Sequence, residues 1–244
     1  MLIQKYRSIK SLKICFWGPS MSGKTFFITA VKVMKSLEDP NTVHDFVTVA
    51  DQETRRTIFF DQAVFGFGPK LEGGSHLFKI HIFTTAGQKR LKDTRKIVLK
   101  GIQGLVLFID ADFDQWEENI WALQELKELK GRDIQGQNIP YVVFVNKQDL
   151  PWGTRISKSH VRQLFKAAKV SKLFPNLEGK VFSGSCKKAK QDLERLLKNT
   201  PREILLNSEG HVKRDFRPPA FEPLMKTLET IVKLAIKQQL SERK

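Results

Sequence analysis

Eight consecutive residues carry the clearest chemistry in the chain. Gly18-Pro19-Ser20-Met21-Ser22-Gly23-Lys24-Thr25 follows the apolar run Ile14-Cys15-Phe16-Trp17 and fits the spacing G-x-x-x-x-G-K-[ST] in full. Glycines at such positions let the backbone curl until successive N–H groups point inward, forming a cradle for phosphate oxygens. Lys24 would bring a cation to the β- and γ-phosphates, and the Thr25 hydroxyl is a ligand type suited to Mg2+. A helix opening just after the loop would add the positive end of its dipole. Gly18, Ser20, Met21, Ser22, Gly23, Lys24 and Thr25 are therefore the candidate phosphate contacts, with Thr25 also a candidate metal ligand.

The loop does not choose between bases. Asn146-Lys147-Gln148-Asp149 does, coming directly after the apolar stretch Tyr141–Val145. A carboxylate at Asp149 can accept hydrogen bonds from both N1–H and the exocyclic amine of guanine, a pair of donors that adenine lacks. A site built on that pair rejects the wrong base by leaving a buried acceptor unpaired. The segment would lie at the carboxyl edge of a parallel sheet, where such folds bind their ligands. GTP or GDP with Mg2+ is the expected ligand set.

These residues must be held by strands and helices. Apolar runs at Leu12–Trp17, Thr57–Phe65, Leu77–Thr84, Leu105–Asp110, Tyr141–Val145 and Lys180–Ser183 read as six strands. Helical spacing begins near Gly23, Arg90, Gln115, Ser157 and Lys187. In the Gln115 segment, Trp116, Ile120, Leu123, Leu126 and Leu129 fall on one face. Alternation of strands with helices predicts an α/β fold: a mostly parallel six-stranded sheet with one antiparallel edge strand and helices on both faces. The Gly- and Pro-rich cluster Gly66 to Gly74 joins two strands as a hairpin, and its Gly-x-Gly is not a dinucleotide fingerprint because no helix follows. Past Leu197 the pattern changes. We expect a nucleotide domain over 1–198, a polar strap or linker over 199–219, and a basic amphipathic helix over 220–244, with Leu224, Leu228, Ile231 and Ala235 along one face.

Composition narrows the remaining classes. The 244 residues include 42 Lys and Arg against 26 Asp and Glu, a formal charge of +16 that suits anionic partners. Cys15 and Cys186 make no CxxC pair, which is against a disulfide framework or a zinc site and fits a reducing compartment. His44, His76, His81, His160 and His211 show no metal-ligand spacing. No apolar run approaches the roughly 20 residues of a membrane span, and Met1–Lys13 lacks the apolar region of a signal peptide. A cytoplasmic location is expected, with any contact to the inner face of the membrane being peripheral. Nucleic acid is not an expected partner.

With the phosphate loop and Asn146-Lys147-Gln148-Asp149 in this order, the chain resembles the Ras-like small GTPases, and so the P-loop G-domain fold, over about residues 10–198. The resemblance implies that Ser183-Gly184-Ser185 forms a further guanine-side loop, that Asn146 braces the phosphate loop, and that Lys147 lies along the base. Thr84-Thr85-Ala86-Gly87-Gln88 stands where the family has Asp-x-x-Gly-Gln, with Thr84 replacing the acid. Gln88 keeps the position that orients the attacking water. Glu53-Thr54-Arg55-Arg56-Thr57-Ile58-Phe59-Phe60-Asp61 is similar to the corresponding segment of the bacterial and archaeal gliding-motility (MglA-type) GTPases. That resemblance assigns Arg56 as an arginine finger supplied in cis and Thr57 as a second magnesium ligand. The residues alone leave Arg55 open beside Arg56, and Thr42, Thr48 and Thr54 open beside Thr57. Ala86 stands where the subfamily carries Pro, and the extension past Leu197 lies outside its pattern.

The function these readings imply is a switch that hydrolyses GTP to GDP and phosphate, with an effector, a Roadblock-type activating partner and a role in polarity or motility. The alternative is a GTP-locked scaffold or membrane adaptor that hydrolyses poorly, motivated by Thr84 and by the basic surface.

Overall fold

The computed structural model describes residues 11–50, 57–71, 76–85, 92–136 and 138–242, without the side chains of 48–50 and 57–60. Seven strands form one sheet: β1 (Ser11–Trp17), β2 (Val43–Ala50), β3 (Thr57–Lys70), β4 (His76–Thr84), β5 (Gly104–Asp110), β6 (Tyr141–Asn146) and β7 (Val181–Ser183). Their order is β2-β3-β4-β1-β5-β6-β7. β4, β1, β5, β6 and β7 run parallel, whereas β3 is antiparallel to both its neighbours.

Two expectations change here. The sheet has seven strands rather than six, and the antiparallel strand is not the edge, because β2 lies outside it. β2 is hard to see in sequence because its register with β3 shifts between Val43 and Asp45 and again between Thr48 and Ala50. Each irregularity breaks the period-2 alternation by which a strand is recognised. The hairpin is also longer than the sequence suggests: β3 runs on through Gly66 and Gly68, and Lys70 still pairs with His76.

β1 shows why the runs are so uniformly apolar. Leu12, Ile14 and Phe16 pack into one core and Cys15 and Trp17 into the other, so the central strand is buried on both faces. The first core lies under helices α1 (Lys24–Glu38), α5 (Cys186–Asn199) and α7 (Glu222–Ser241). The second lies under α2 (Lys92–Val98), α3 (Trp116–Gly136) and α4 (Val161–Ala167). A short helix, α6 (Arg202–Leu205), belongs to the segment between α5 and α7. Phe27 of α1 sits among Phe16, Phe108 and Phe144, with ring centroids 5.0 to 5.5 Å apart. Those rings form the floor beneath the loop that leaves β1.

The second core carries one buried ion pair. Arg95 of α2 donates to Glu125 of α3, and the guanidinium lies over the rings of Trp17 and Trp121. Burial raises the Glu125 pKa and Arg95 works against that rise. The Trp17 indole N–H in turn donates to the Ala122 carbonyl at 2.7 Å. The residue before the phosphate loop is thus fastened to α3.

The C-terminal helix is an integral layer. Leu224, Leu228, Ile231, Val232 and Ala235 are buried in the first core, while Lys226 and Lys233 point outward in i,i+4 ion pairs with Glu222 and Glu229. A methyl group on Gly104 would press on both Ile14 and Ile231, so α7 lies directly on the centre of the sheet. The segment 199–219 is also tied down: Val212 N–H donates to the Leu37 carbonyl at 2.7 Å, and Arg217 forms a two-bond pair with Glu38. Ile231→Ala should lower the free energy of unfolding by about 2–5 kcal/mol, against about 0.5 kcal/mol or less for Lys233→Ala, measured by chemical denaturation.

Candidate functional site

β1 ends and α1 begins around the loop Gly18–Gly23. Gly18 is required by contact, since a Cβ there would run into the carbonyl of Phe108. Gly23 is required twice: its φ is +93°, and a Cβ would collide with the Asn146 amide. Met21 also has a positive φ, of 58°, and its side chain is exposed. The Ser22 hydroxyl donates to the Pro19 carbonyl at 2.9 Å, closing the loop on itself.

Lys24 is buried, and its ammonium donates to the Gly18 carbonyl (2.9 Å), the Pro19 carbonyl (2.7 Å) and Ser22 Oγ (3.3 Å). All three acceptors are neutral. Burial pushes the ammonium down to about 7, and the nearby Asp61 carboxylate pulls partly in the other direction. A buried cation bonded to neutral oxygens is stabilised by an anion brought to it, so the loop fits a phosphate chain.

Asn146, the last residue of β6, links three loops. Its Nδ2 donates to the Ser22 carbonyl at 2.9 Å, and its Oδ1 accepts from Cys186 N–H at 3.1 Å. Lys147 has a φ of 63°, and its ammonium lies 2.5 Å from the buried Asp110 at the end of β5. Burial raises the Asp110 pKa, with Lys147 the principal opposing influence. Asp149 Oδ1 accepts from Ser185 Oγ at 2.5 Å, and Ser185 also caps α5 through Lys188 N–H. Gly184 N–H donates to the Val145 carbonyl, and Gln148 N–H donates to the Gly184 carbonyl. Ser183 is held by pairing with Val145. Gly18, Ser20, Met21, Ser22, Gly23, Lys24, Thr25, Asn146, Lys147, Asp149, Ser183, Gly184 and Ser185 therefore converge at one edge of the sheet. Arg56 and Gln88 lie outside the described residues; Thr57 opens β3 and pairs with Ala50.

The family model of the ADP-ribosylation factor family matches residues 70–201, more than half of the chain. The mutual gliding-motility protein MglA of Myxococcus xanthus is 32% identical over 140 residues, covering 57% of this chain and 68% of that protein. This chain belongs to the ADP-ribosylation factor family. An uncharacterised protein of Methanocaldococcus jannaschii is 35% identical over 72 residues, 30% of this chain and 42% of that one. Among solved structures, the Arl6 BBS3 small GTPase of Trypanosoma brucei shares the fold, with a TM-score of 0.54 over 94% of this chain and 99% of that one at 15% identity.

In this Arf-family small GTPase, guanine-nucleotide binding follows from membership, and a carboxylate, Asp61, lies against Thr84. Thr84 is buried and its hydroxyl donates to Asp61 Oδ2 at 2.6 Å. Asp61 N–H donates back to that hydroxyl at 3.1 Å, and Thr25 Oγ1 reaches the same carboxylate oxygen at 2.5 Å. A carboxylate from β3 thus lies beside the hydroxyl of the phosphate-loop threonine. Hard oxygens of this kind, together with phosphate oxygens, make up a Mg2+ site, so these residues fit that cation. Sequence reading missed Asp61 because the pairing depends on β3–β4 register; the available signal was the Asp closing the Phe-Phe-Asp run. No helix among the described residues is long and apolar enough to cross a membrane.

Asn146→Ala removes one acceptor and one donor from buried partners. Each orphaned group costs about 1–3 kcal/mol, so nucleotide dissociation should accelerate by roughly 10- to 100-fold, read by displacement of a fluorescent GDP.

Proposed function

We propose that this chain is a GTP-operated switch that hydrolyses GTP to GDP and phosphate with Mg2+. The observation that carries the reading is the junction at Asn146, which ties the phosphate loop to the Asp149 loop and the Ser185 loop through two buried hydrogen bonds. In this reading Asp149 takes the N1–H and N2 amine of guanine while Ser185 orients its carboxylate, and Lys147 lies along the base. Lys24 meets the β- and γ-phosphates. Thr25 and Thr57 would hold Mg2+, and Asp61, beside Thr25, would stand in for the family's acid at position 84. The cation, when bound, offsets charge on the phosphate oxygens. Gln88 orients the attacking water and Arg56 lays a guanidinium on the charge that builds on the γ-phosphoryl group.

The scaffold alternative rested on the absence of an acid at Thr84, and Asp61 removes much of its motivation. By resemblance to MglA-type GTPases, a Roadblock-type activating partner, slow intrinsic turnover and a role in polarity or motility complete the proposal. We assign residues 1–198 to nucleotide handling and 199–244 to completing the core. With its apolar face packed on the sheet, α7 is better suited to that role than to anchoring in lipid. Any attachment to an anionic membrane would then draw on the basic surface.

The test begins with nucleotide released from denatured protein, followed by turnover with Mg2+. GDP or GTP should be recovered, and GTP should be hydrolysed while ATP is not. Gln88→Leu should abolish turnover, and Arg56→Ala should slow it by about 10³-fold. Recovery of adenine nucleotide would overturn the reading; guanine nucleotide with turnover indifferent to both substitutions would favour the scaffold. Asp61→Asn should raise the Mg2+ concentration needed for half-maximal GTP retention by roughly 10- to 100-fold, measured by titrating the cation.

A further inference from the structure

The base-recognising segment is braced from behind by an arginine that no motif marks. Arg155 sits six residues past Asp149, and its Nη1 donates to two backbone carbonyls, those of Gln148 and Leu150. These are the carbonyls on either side of Asp149. The guanidinium is half-buried and makes no ion pair among the described residues, so its charge is committed to these two neutral oxygens. Trp152, 83% exposed, covers the guanidinium with its ring centroid 5.2 Å away.

The strap that carries Arg155 is itself fixed at both ends. Gln148 Nε2 donates to the Ile156 carbonyl at 3.0 Å, and Ile156 N–H donates to the Ala111 carbonyl at 2.5 Å. Arg155 also pairs by backbone with Asp112, just past β5. Between these ties Gly153, at φ +91°, sits in a turn that Thr154 closes with its N–H and its hydroxyl on the Pro151 carbonyl. Without the guanidinium, the Gln148 and Leu150 carbonyls would lose this charge-assisted donor, and the orientation of Asp149 would rest on Ser185 and on the bond from Gln148 N–H to Gly184.

We propose that Arg155 is a positioning residue for base selection: by clamping the carbonyls flanking Asp149, it aims the carboxylate at the N2 amine and N1–H of guanine. The proposal rests on the reading of Asp149 as the base-recognising acid. Arg155 touches no nucleotide in this scheme. It acts through the orientation of Asp149, where a misplacement of well under 1 Å loosens a two-point hydrogen bond. Loss of the clamp therefore falls most heavily on the base that uses both points.

The protein, stripped of nucleotide, is titrated with GDP, IDP and ADP in competition with a fluorescently labelled GDP. IDP lacks only the 2-amino group, so the GDP-to-IDP affinity ratio reports the alignment of Asp149. The wild type should prefer GDP. Arg155→Ala should lower that ratio roughly 10-fold while leaving the weak ADP affinity unchanged, and Arg155→Lys should recover part of it. Equal loss of GDP and IDP affinity, or an unchanged ratio, would show that Arg155 is merely structural and overturn the proposal. If Arg155→Ala does not fold, Arg155→Met, which keeps an unbranched stem but has no donor, decides by the same ratio. A wild type without preference for GDP over both IDP and ADP would sink the reading of Asp149 itself, before any variant is compared.

Discussion

One side-chain amide holds the site together. Asn146 sits at the end of a fully buried strand, donates to the phosphate loop and accepts from the first turn of α5. A primary amide is suited to this because it is donor and acceptor at once, at two points fixed about 2 Å apart by covalent geometry. Neither loop it joins is adjacent to it in sequence: Ser22 is 124 residues away and Cys186 is 40. The absence of a Cβ at Gly23 gives the amide room to reach the loop. Rigid strands thus bring the loops near, and a pair of hydrogen bonds fixes their final spacing.

Electrostatics work on the same small volume. Lys24, Asp61 and Asp110 are all buried, and the Asp61 carboxylate partly offsets the cost of burying the Lys24 cation. The cation has neutral acceptors, Asp61 gathers two threonine hydroxyls, and Asp110 is paired with Lys147. Such an arrangement is costly in a protein interior unless a ligand shares the charge. A polyphosphate with a divalent cation has the matching distribution: negative oxygens for Lys24 and a positive centre for the acid.

Local motifs were legible in the sequence, and long-range pairings were not. The phosphate loop and Asn146-Lys147-Gln148-Asp149 could be read because their chemistry lies in consecutive residues after apolar runs. The parallel strands were legible for the same reason, since burial on both faces leaves continuous apolar stretches such as Leu105–Asp110. β2 was hidden by the shifts in its register with β3. Asp61 was hidden because its partner Thr84 is 23 residues away, and only the register that pairs Gln62 with Phe83 sets the two opposite each other. The brace at Arg155 is made with backbone oxygens, which leave no trace in residue types. The sequence pattern of α7 showed an apolar face; that the face covers the middle of the sheet depends on Gly104 admitting Ile231.

The position of α7 bears on how the domain is made on the ribosome. The strands that form the nucleotide edge are synthesised well before residues 222–241, yet Leu12, Ile14 and Val106 share the core that this helix closes. Without this helix, Leu228, Ile231 and Val232 would be missing from the first core, and that face of the sheet would be partly bare. The start of the same helix reaches the loop after β7, because Pro223 lies against Gly184, so the helix that closes the core also backs that loop.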